Sequence, residues 1–310
     1  CALPISMTES PRRIEIRRCR FSDSGSRNAL GRNNTTGGVL LEDGTANFVV
    51  EASEFRSILG NGVWTHSRYR EVRNGPGVIR GNRFVEIGRD AVQVGHASRV
   101  DVLENEIERV GYPVESVDVE GGGVPVGVDT AGNVDSSRYA GNRMRDINGK
   151  CFDLDGFHHG EVSGNTCINP PGEYAFGNFG IVMNNTNPDM QSVGIRIEDN
   201  RLEGMRFGGI FVIGSGHVIR GNKLRRLQTS RCSEPERLAG CAYLADEPDM
   251  LRVGIYFGRR AERPAVTRAN RVERNEIGGW RMDRKCMGFA PGVDPKENRR
   301  SGNLCRHEGN

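Results

Sequence analysis

The sequence predicts an all-β solenoid, a coil of short parallel strands stacked turn upon turn, and three observations predict it. One short pattern recurs along most of the chain: an apolar residue, two positions, Asn, one position, an apolar residue, two positions, an apolar residue. Where no insertion intervenes it returns about every 22 residues, the length of three short strands and their turns. The composition also economises on core volume, with 36% hydrophobic and 6% aromatic residues against 42 glycines and 13 prolines in 310 residues. A helical or sandwich enzyme of this size usually carries more large apolar side chains.

From the N-terminus, Cys1 to Ser6 lacks an initiator Met, a basic segment and an apolar segment, so residues 1–13 read as a truncated or artefactual start. The pattern opens in degenerate form at Ile16-Cys19-Phe21 and Val50-Ser53-Phe55-Ile58. It becomes regular at Ile79-Asn82-Phe84-Ile87 and Val102-Asn105-Ile107-Val110. Partial copies follow at Asn142-Met144-Ile147 and Val162-Asn165-Cys167. Full copies return at Ile197-Asn200-Leu202-Met205 and Ile219-Asn222-Leu224-Leu227, and Val272-Asn275-Ile277 closes the series. Upstream of several of these lies a second motif, Ala91-Val92-Gln93-Val94, Cys151-Phe152-Asp153-Leu154 and Gly209-Ile210-Phe211-Val212, whose alternation marks a strand with one buried face. Stacked one turn apart, equivalent strands sit about 4.8 Å from each other. The Asn side chains then form a hydrogen-bonded ladder at a tight turn. The solenoid is expected over residues 14–279, with the basic, Gly/Pro-rich tail 280–310 as a cap on the exposed strand edge.

These rungs resemble the right-handed parallel β-helix superfamily, the pectate-lyase-like fold, which implies a single-stranded β-helix of about eight or nine rungs. A leucine-rich repeat would need several Leu per unit, whereas these units use Val, Ile and Phe. The rung pattern speaks to fold and hardly to chemistry.

A net charge of +3, with 43 basic and 40 acidic residues interspersed, gives no electrostatic footprint for nucleic acid. No apolar run approaches the roughly 20 residues of a membrane span. Cys232 with Cys241, and Cys286 with Cys305, bracket short loops that disulfides would close, implying an oxidising compartment. The alternative is unpaired thiols, since spacing does not fix connectivity. Cys19, Cys151 and Cys167 fall on repeat positions and read as small core hydrophobes.

Aligning the rungs puts Val92, Phe152, Ile210 and Ile255 inside, with Val94, Leu154 and Val212 as the next inward position. One outward line then reads Trp64, Gln93, Asp129, Asp153, Val182, Phe211, Tyr256; a second reads His66, Gly95, Ala131, Asp155, Asn184, Ile213. Asp129 and Asp153 become neighbours on adjacent rungs, and close carboxylates push their pKa values apart. This face reads as a sugar-polymer groove. Asp129, Asp153, Asp155, His158 and His159 are the candidate catalytic groups, and Trp64, His66, Gln93, Asn184, Phe211 and Tyr256 the candidate substrate contacts. Asp129 and Asp153 would equally serve a Ca²⁺ ion; no cofactor is otherwise implied. Inserted loops at Val117 to Gly123 and Pro170 to Tyr174 would wall the cleft. Arg143 and Arg145 read as a solvated face.

The segment Asp153-Leu154-Asp155-Gly156-Phe157-His158 resembles the Asn-Thr-Asp-Gly-(Phe/Ile)-Asp motif of the polygalacturonase family, with Asp153 at the Asn place and His158 at the second Asp. That resemblance implies glycoside hydrolysis by paired acids. The family's Gly-His-Gly is echoed only in Gly216-His217-Val218, and its Arg-x-Lys is not found. Asp155-Gly156-Phe157-His158 is also loosely similar to the Asp-Pro-His-Asp of alginate C5-epimerases on this fold. The sequence thus predicts a secreted, periplasmic or cell-surface enzyme acting on a polysaccharide or oligosaccharide, as hydrolase, lyase or epimerase. The alternative is a non-catalytic adhesion or glycan-binding solenoid.

Overall fold

The computed structural model describes all residues except 1–4, 8–10, 34–36, 68–71, 120–122, 187–189, 233–246, 248, 260–262, 264 and 310. Apolar residues at alternate positions of short extended segments leave one face of each strand to bury. Closing the chain into a three-sided coil lets all three faces share one core. Three parallel sheets result, of 11, 10 and 10 strands. The first sheet opens with Ile5–Met7, the second with Glu15–Arg17 and the third with Arg20–Ser24, and each strand pairs with its equivalent one turn away.

The inward residues form one continuous core. Val92, Phe152, Ile210 and Ile255 are buried, as are Val94, Leu154 and Val212. Phe21, Phe55 and Phe84 stack ring on ring at 4.8 and 4.7 Å. Outside the core, the first rungs of the second and third sheets carry charges of alternating sign, Arg17–Glu51–Arg80 on one and Arg20–Glu54–Arg83 on the other.

The Asn ladder holds the third corner. The Oδ1 of Asn142 accepts from both the backbone N–H and the side-chain amide of Asn105, each at 3.0 Å, while its own amide donates to Val102 O and Asn165 Oδ1. The same bonding runs from Asn82 through Asn105, Asn142, Asn165, Asn200, Asn222 and Asn275 to Asn303. At the start, Ser53 Oγ accepts from Cys19 N–H, and Ser53 N–H donates to Asn82.

The tail does not break the pattern. Met287–Phe289, Arg299–Ser301 and Leu304–His307 each add a last strand to one of the three sheets, which brings the coil to ten rungs. Asn303 occupies the ladder place, but charged neighbours hide the motif. Arg300 stands in register with the buried Val272 and lies over the Phe289 ring at 4.9 Å, capping the core with a cation rather than filling it.

The cysteines partly depart from expectation. Cys286 and Cys305 are joined as predicted. Cys232 is disulfide-bonded, and Cys241 lies outside the described residues. Cys151 and Cys167 are not separate small hydrophobes: they form a disulfide inside the core that ties the first sheet to the third. Cys19 keeps its thiol, with its Sγ 3.6 Å from Arg17 O.

Candidate functional site

Strand alternation places the first outward line on the outer face of the first sheet. Trp64 is in register with Gln93, Gln93 with Asp129, Asp129 with Asp153, Asp153 with Val182, Val182 with Phe211 and Phe211 with Tyr256. Their strand neighbours, Val128 and Thr130 beside Asp129, Phe152 and Leu154 beside Asp153, point inward and are buried. The two acids therefore stack on neighbouring rungs and leave the core on the same side.

They do not stand in open water. Asp129 is 7% and Asp153 8% exposed. The Nε2 of Gln93 donates to Asp129 Oδ2 at 2.9 Å, and Gln93 Oε1 accepts from Asn61 Nδ2 at 2.9 Å. The ammonium of Lys150 pairs with Asp153 Oδ2, while Asp153 Oδ1 is buried without a hydrogen-bond partner. Asp90 lies close enough to couple to both acids and accepts the Val126 N–H at 2.9 Å. Asp155 is held by Thr186, whose N–H and Oγ1 donate to it at 2.9 and 2.6 Å.

Crowding acids in a dry place sets their protonation. Burial, reinforced by Asp90 and Asp153, holds the Asp129 carboxyl well above the usual range against the Gln93 hydrogen bond. Burial likewise raises Asp90 to about 6, opposed by Arg89. Burial raises Asp155 to about 6, opposed by Thr186. For Lys150 burial works against the charge, but Asp153, Asp129 and Asp155 outweigh it and lift the ammonium above its ordinary value. An acid that favours its proton thus sits one rung from the Asp153–Lys150 ion pair. The set does not suit Ca²⁺, because Lys150 occupies an Asp153 oxygen that the ion would need. Among the described residues no group of three His, Cys, Asp or Glu is arranged to hold a metal.

A family model described as a right handed beta helix region matches residues 38–224. The chain belongs to the right-handed β-helix family. No curated protein sequence matches it. Among solved structures, this β-helix is similar to the GH136 lacto-N-biosidase from Eubacterium ramulus, with 14% identity and a TM-score of 0.53 over 72% of this chain and 40% of that one. It is also similar to the Agl-KA catalytic domain, with 10% identity and a TM-score of 0.50 over 94% of this chain and 53% of the other. For XylC in complex with xylose the values are 9%, 0.50, 93% and 52%. The chain thus spans about half the length of these proteins or less, and at such identities the likeness shows the fold alone.

Several expected site residues of the β-helix take other places. The chain bends at Gly156, whose φ of 69° suits glycine, and His158 and His159 lie beyond that bend. His158 stands in register with Asp135, its Nδ1 bonded to Gly156 O at 3.1 Å, away from the Asp155 carboxylate. His159 is exposed, with its ring 5.5 Å from that of His158. Phe211 and Tyr256 stack at 5.8 Å but are buried, and Glu247 accepts the Tyr256 hydroxyl at 2.9 Å. They are not open sugar platforms. Trp64 is half-buried, tilted over His66 at 4.6 Å, and His66 is paired with Glu42 at 2.9 Å. Gln93 orients Asp129, and Asn184 stands in register with Asp155 and accepts the Asn185 N–H at 3.0 Å. Ile213 is inside the core, not on the second outward line. The Pro170 to Tyr174 loop meets Arg206 through Tyr174 O, and just beyond it Phe176 N–H donates to Asn148. Of the first inserted loop, 120–122 lie outside the described residues. His217 is no catalytic remnant: it is buried at a turn, receiving the Ile195 N–H and donating to Ile213 O.

Two groups of the centre escaped the sequence reading, Asp90 and Lys150. The signal existed: each lies two residues before an inward strand residue, Val92 and Phe152, as Asn61 lies before Val63.

Proposed function

We propose that this β-helix is an extracellular carbohydrate-active enzyme that cleaves or modifies a glycosidic polymer at an acidic centre of Asp129, Asp153 and Asp155. The observation that carries the reading is the in-register pair: Asp129, oriented by Gln93 and pushed by burial towards its protonated form, beside Asp153, paired with Lys150 and retaining one unengaged oxygen. A protonated acid next to a carboxylate is the arrangement that glycosidic chemistry requires, one group giving a proton to the leaving oxygen and the other acting as base or nucleophile. Proton abstraction from a sugar carbon would use the same carboxylate as base. Two disulfides among the described residues support an oxidising location. No helix among those residues is long and apolar enough to cross a membrane.

The test replaces Asp129 and Asp153 separately by Asn and assays neutral and uronic polysaccharides for reducing ends and for the absorbance of unsaturated products. Each variant should lose about 10²–10⁴-fold in turnover, the usual contribution of a positioned acid or base. Unchanged turnover in both overturns the reading. The burial of both acids favours a second reading, a non-catalytic surface or glycan-binding β-helix in which the acids are scaffold. Under it the same variants would change the melting temperature and no polysaccharide of the panel would be turned over.

A further inference from the structure

The rungs that carry Gln93, Asp129 and Asp153 share a second feature. Their strands in the first sheet, Val92–Ser98, Val126–Asp135 and Lys150–Asp155 with Phe157–His158, run on past a bend. Left-handed residues stack at that bend: His96 at φ 42°, Gly132 at 99° and Gly156 at 69°. A side chain at Gly156 would meet Gly132 O at 2.6 Å. Beyond it pairing resumes, Ala97 with Val134 with Phe157, then Ser98 with Asp135 with His158. The first three are in the core, so the second three face outward.

This outward row is built as a polar ledge. Arg73 reaches it with both arms, one nitrogen on Asp135 Oδ1 and the other on Asn133 Oδ1. Ser98 and Ser136 hydroxyls donate to Asp135 Oδ2 at 3.2 and 2.9 Å. His158 is 9% exposed. Its Nδ1 donates to Gly156 O at 3.1 Å, which fixes the tautomer and leaves Nε2 as an acceptor with no hydrogen bond among the described residues. Burial holds the His158 ring below its ordinary value, so it is neutral at pH 7. The Arg73 charge is balanced by Asp135. The ledge therefore offers aligned donors and acceptors without net charge, which suits hydroxyl groups and gives an anion no ionic attraction.

We propose that Arg73, Ser98, Asp135 and His158 form a second sugar-binding site, one that takes an uncharged polyhydroxyl unit of a glycan. It lies at most about 20 Å of extended strand from Asp129, six residues along the same chain segment. The inference rests on the carbohydrate reading above and adds where, and for which sugar class, the chain holds its ligand away from the acidic centre.

Calorimetric titration of the whole chain with xylohexaose, cellohexaose and laminarihexaose, and with hexagalacturonate as anionic control, tests it at low and high salt. At least one neutral hexamer should bind with little salt dependence. His158→Gln and Asp135→Asn should each weaken that binding about tenfold or more, the effect of losing one good hydrogen bond to a sugar. Circular dichroism of the variants should match the parent, and Ser98→Ala, which leaves the ion pair untouched, guards against misfolding of the other two. The site is overturned if no neutral hexamer binds, if binding is unchanged in all three ledge variants, or if only hexagalacturonate binds and salt abolishes it. Binding that survives while Asp129→Asn and Asp153→Asn change no turnover would sink the acidic centre and leave this site standing.

Discussion

Single residues in this β-helix are fixed by how their polar atoms are met inside the coil. The Asn142 side chain makes four hydrogen bonds to three residues, so Asn142→Ala strands the Asn105 amide groups, the Val102 carbonyl and an Asn165 lone pair in a dry interior. The expected cost is about 3 kcal/mol or more, read as a lower urea midpoint. His217 makes a pH-dependent case. Its ring is fully buried, and burial lowers its pKa from 6.5 to about 4 in the fold. The folded state therefore favours the neutral ring. Its contribution is complete above pH 6.5, is lost as pH falls towards 4 and levels off below, a total of about 3 kcal/mol. Unfolding free energies across that window should fall more steeply for the parent than for His217→Gln; parallel curves would contradict the assignment. Asp90 and Asp155, raised to about 6, act with the opposite sign, favouring the fold as pH falls. The comparison of parent with variant separates the histidine from them.

At the scale of elements, the strand Lys150–Asp155 carries much of the acidic centre. It bears Lys150, Asp153 and Asp155, and the Cys151–Cys167 bridge, 16 residues apart, fastens it across the core. Replacing both cysteines by Ala should cost about 3 kcal/mol. Turnover should fall further than in the Cys286→Ala/Cys305→Ala pair, because only the inner bridge adjoins the acids; thermal melts and the polysaccharide assay check both. The sequence could not reveal this bridge, since Cys151 and Cys167 look like any small apolar residues of a ladder. The bend at Gly156 was equally hidden. Two imidazoles close to two carboxylates in sequence suggest a cluster, yet the chain turns at one left-handed glycine and sets His158 in register with Asp135 instead. Gly156→Ala should strain that turn and clash with Gly132 O, lowering stability by about 1–3 kcal/mol, measured by chemical denaturation.

At the scale of the molecule, the coil was the legible part. Period-two alternation and the Asn spacing are local signals that every rung repeats, so they located the inward residues and set Asp129 opposite Asp153. Cover was not legible. Whether an outward side chain meets water depends on groups outside the repeat, such as Glu247 bonded to the Tyr256 hydroxyl, and no repeat encodes those. The last rung was missed for a related reason: at the open end of the stack Arg300 replaces an apolar residue, and Asn303 remains as its trace.

The amide ladder also limits how such a chain can change length. Each Asn is both lock and key, matched to one rung behind and one ahead, so a slip of one residue would unfasten every rung beyond it. Removing or adding a whole turn closes the seam again, and extra residues between ladder positions are absorbed at the corners. The solenoid therefore behaves as a ruler graduated in single strand spacings of about 4.8 Å. Any surface it presents grows or shrinks by one full row of side chains at a time.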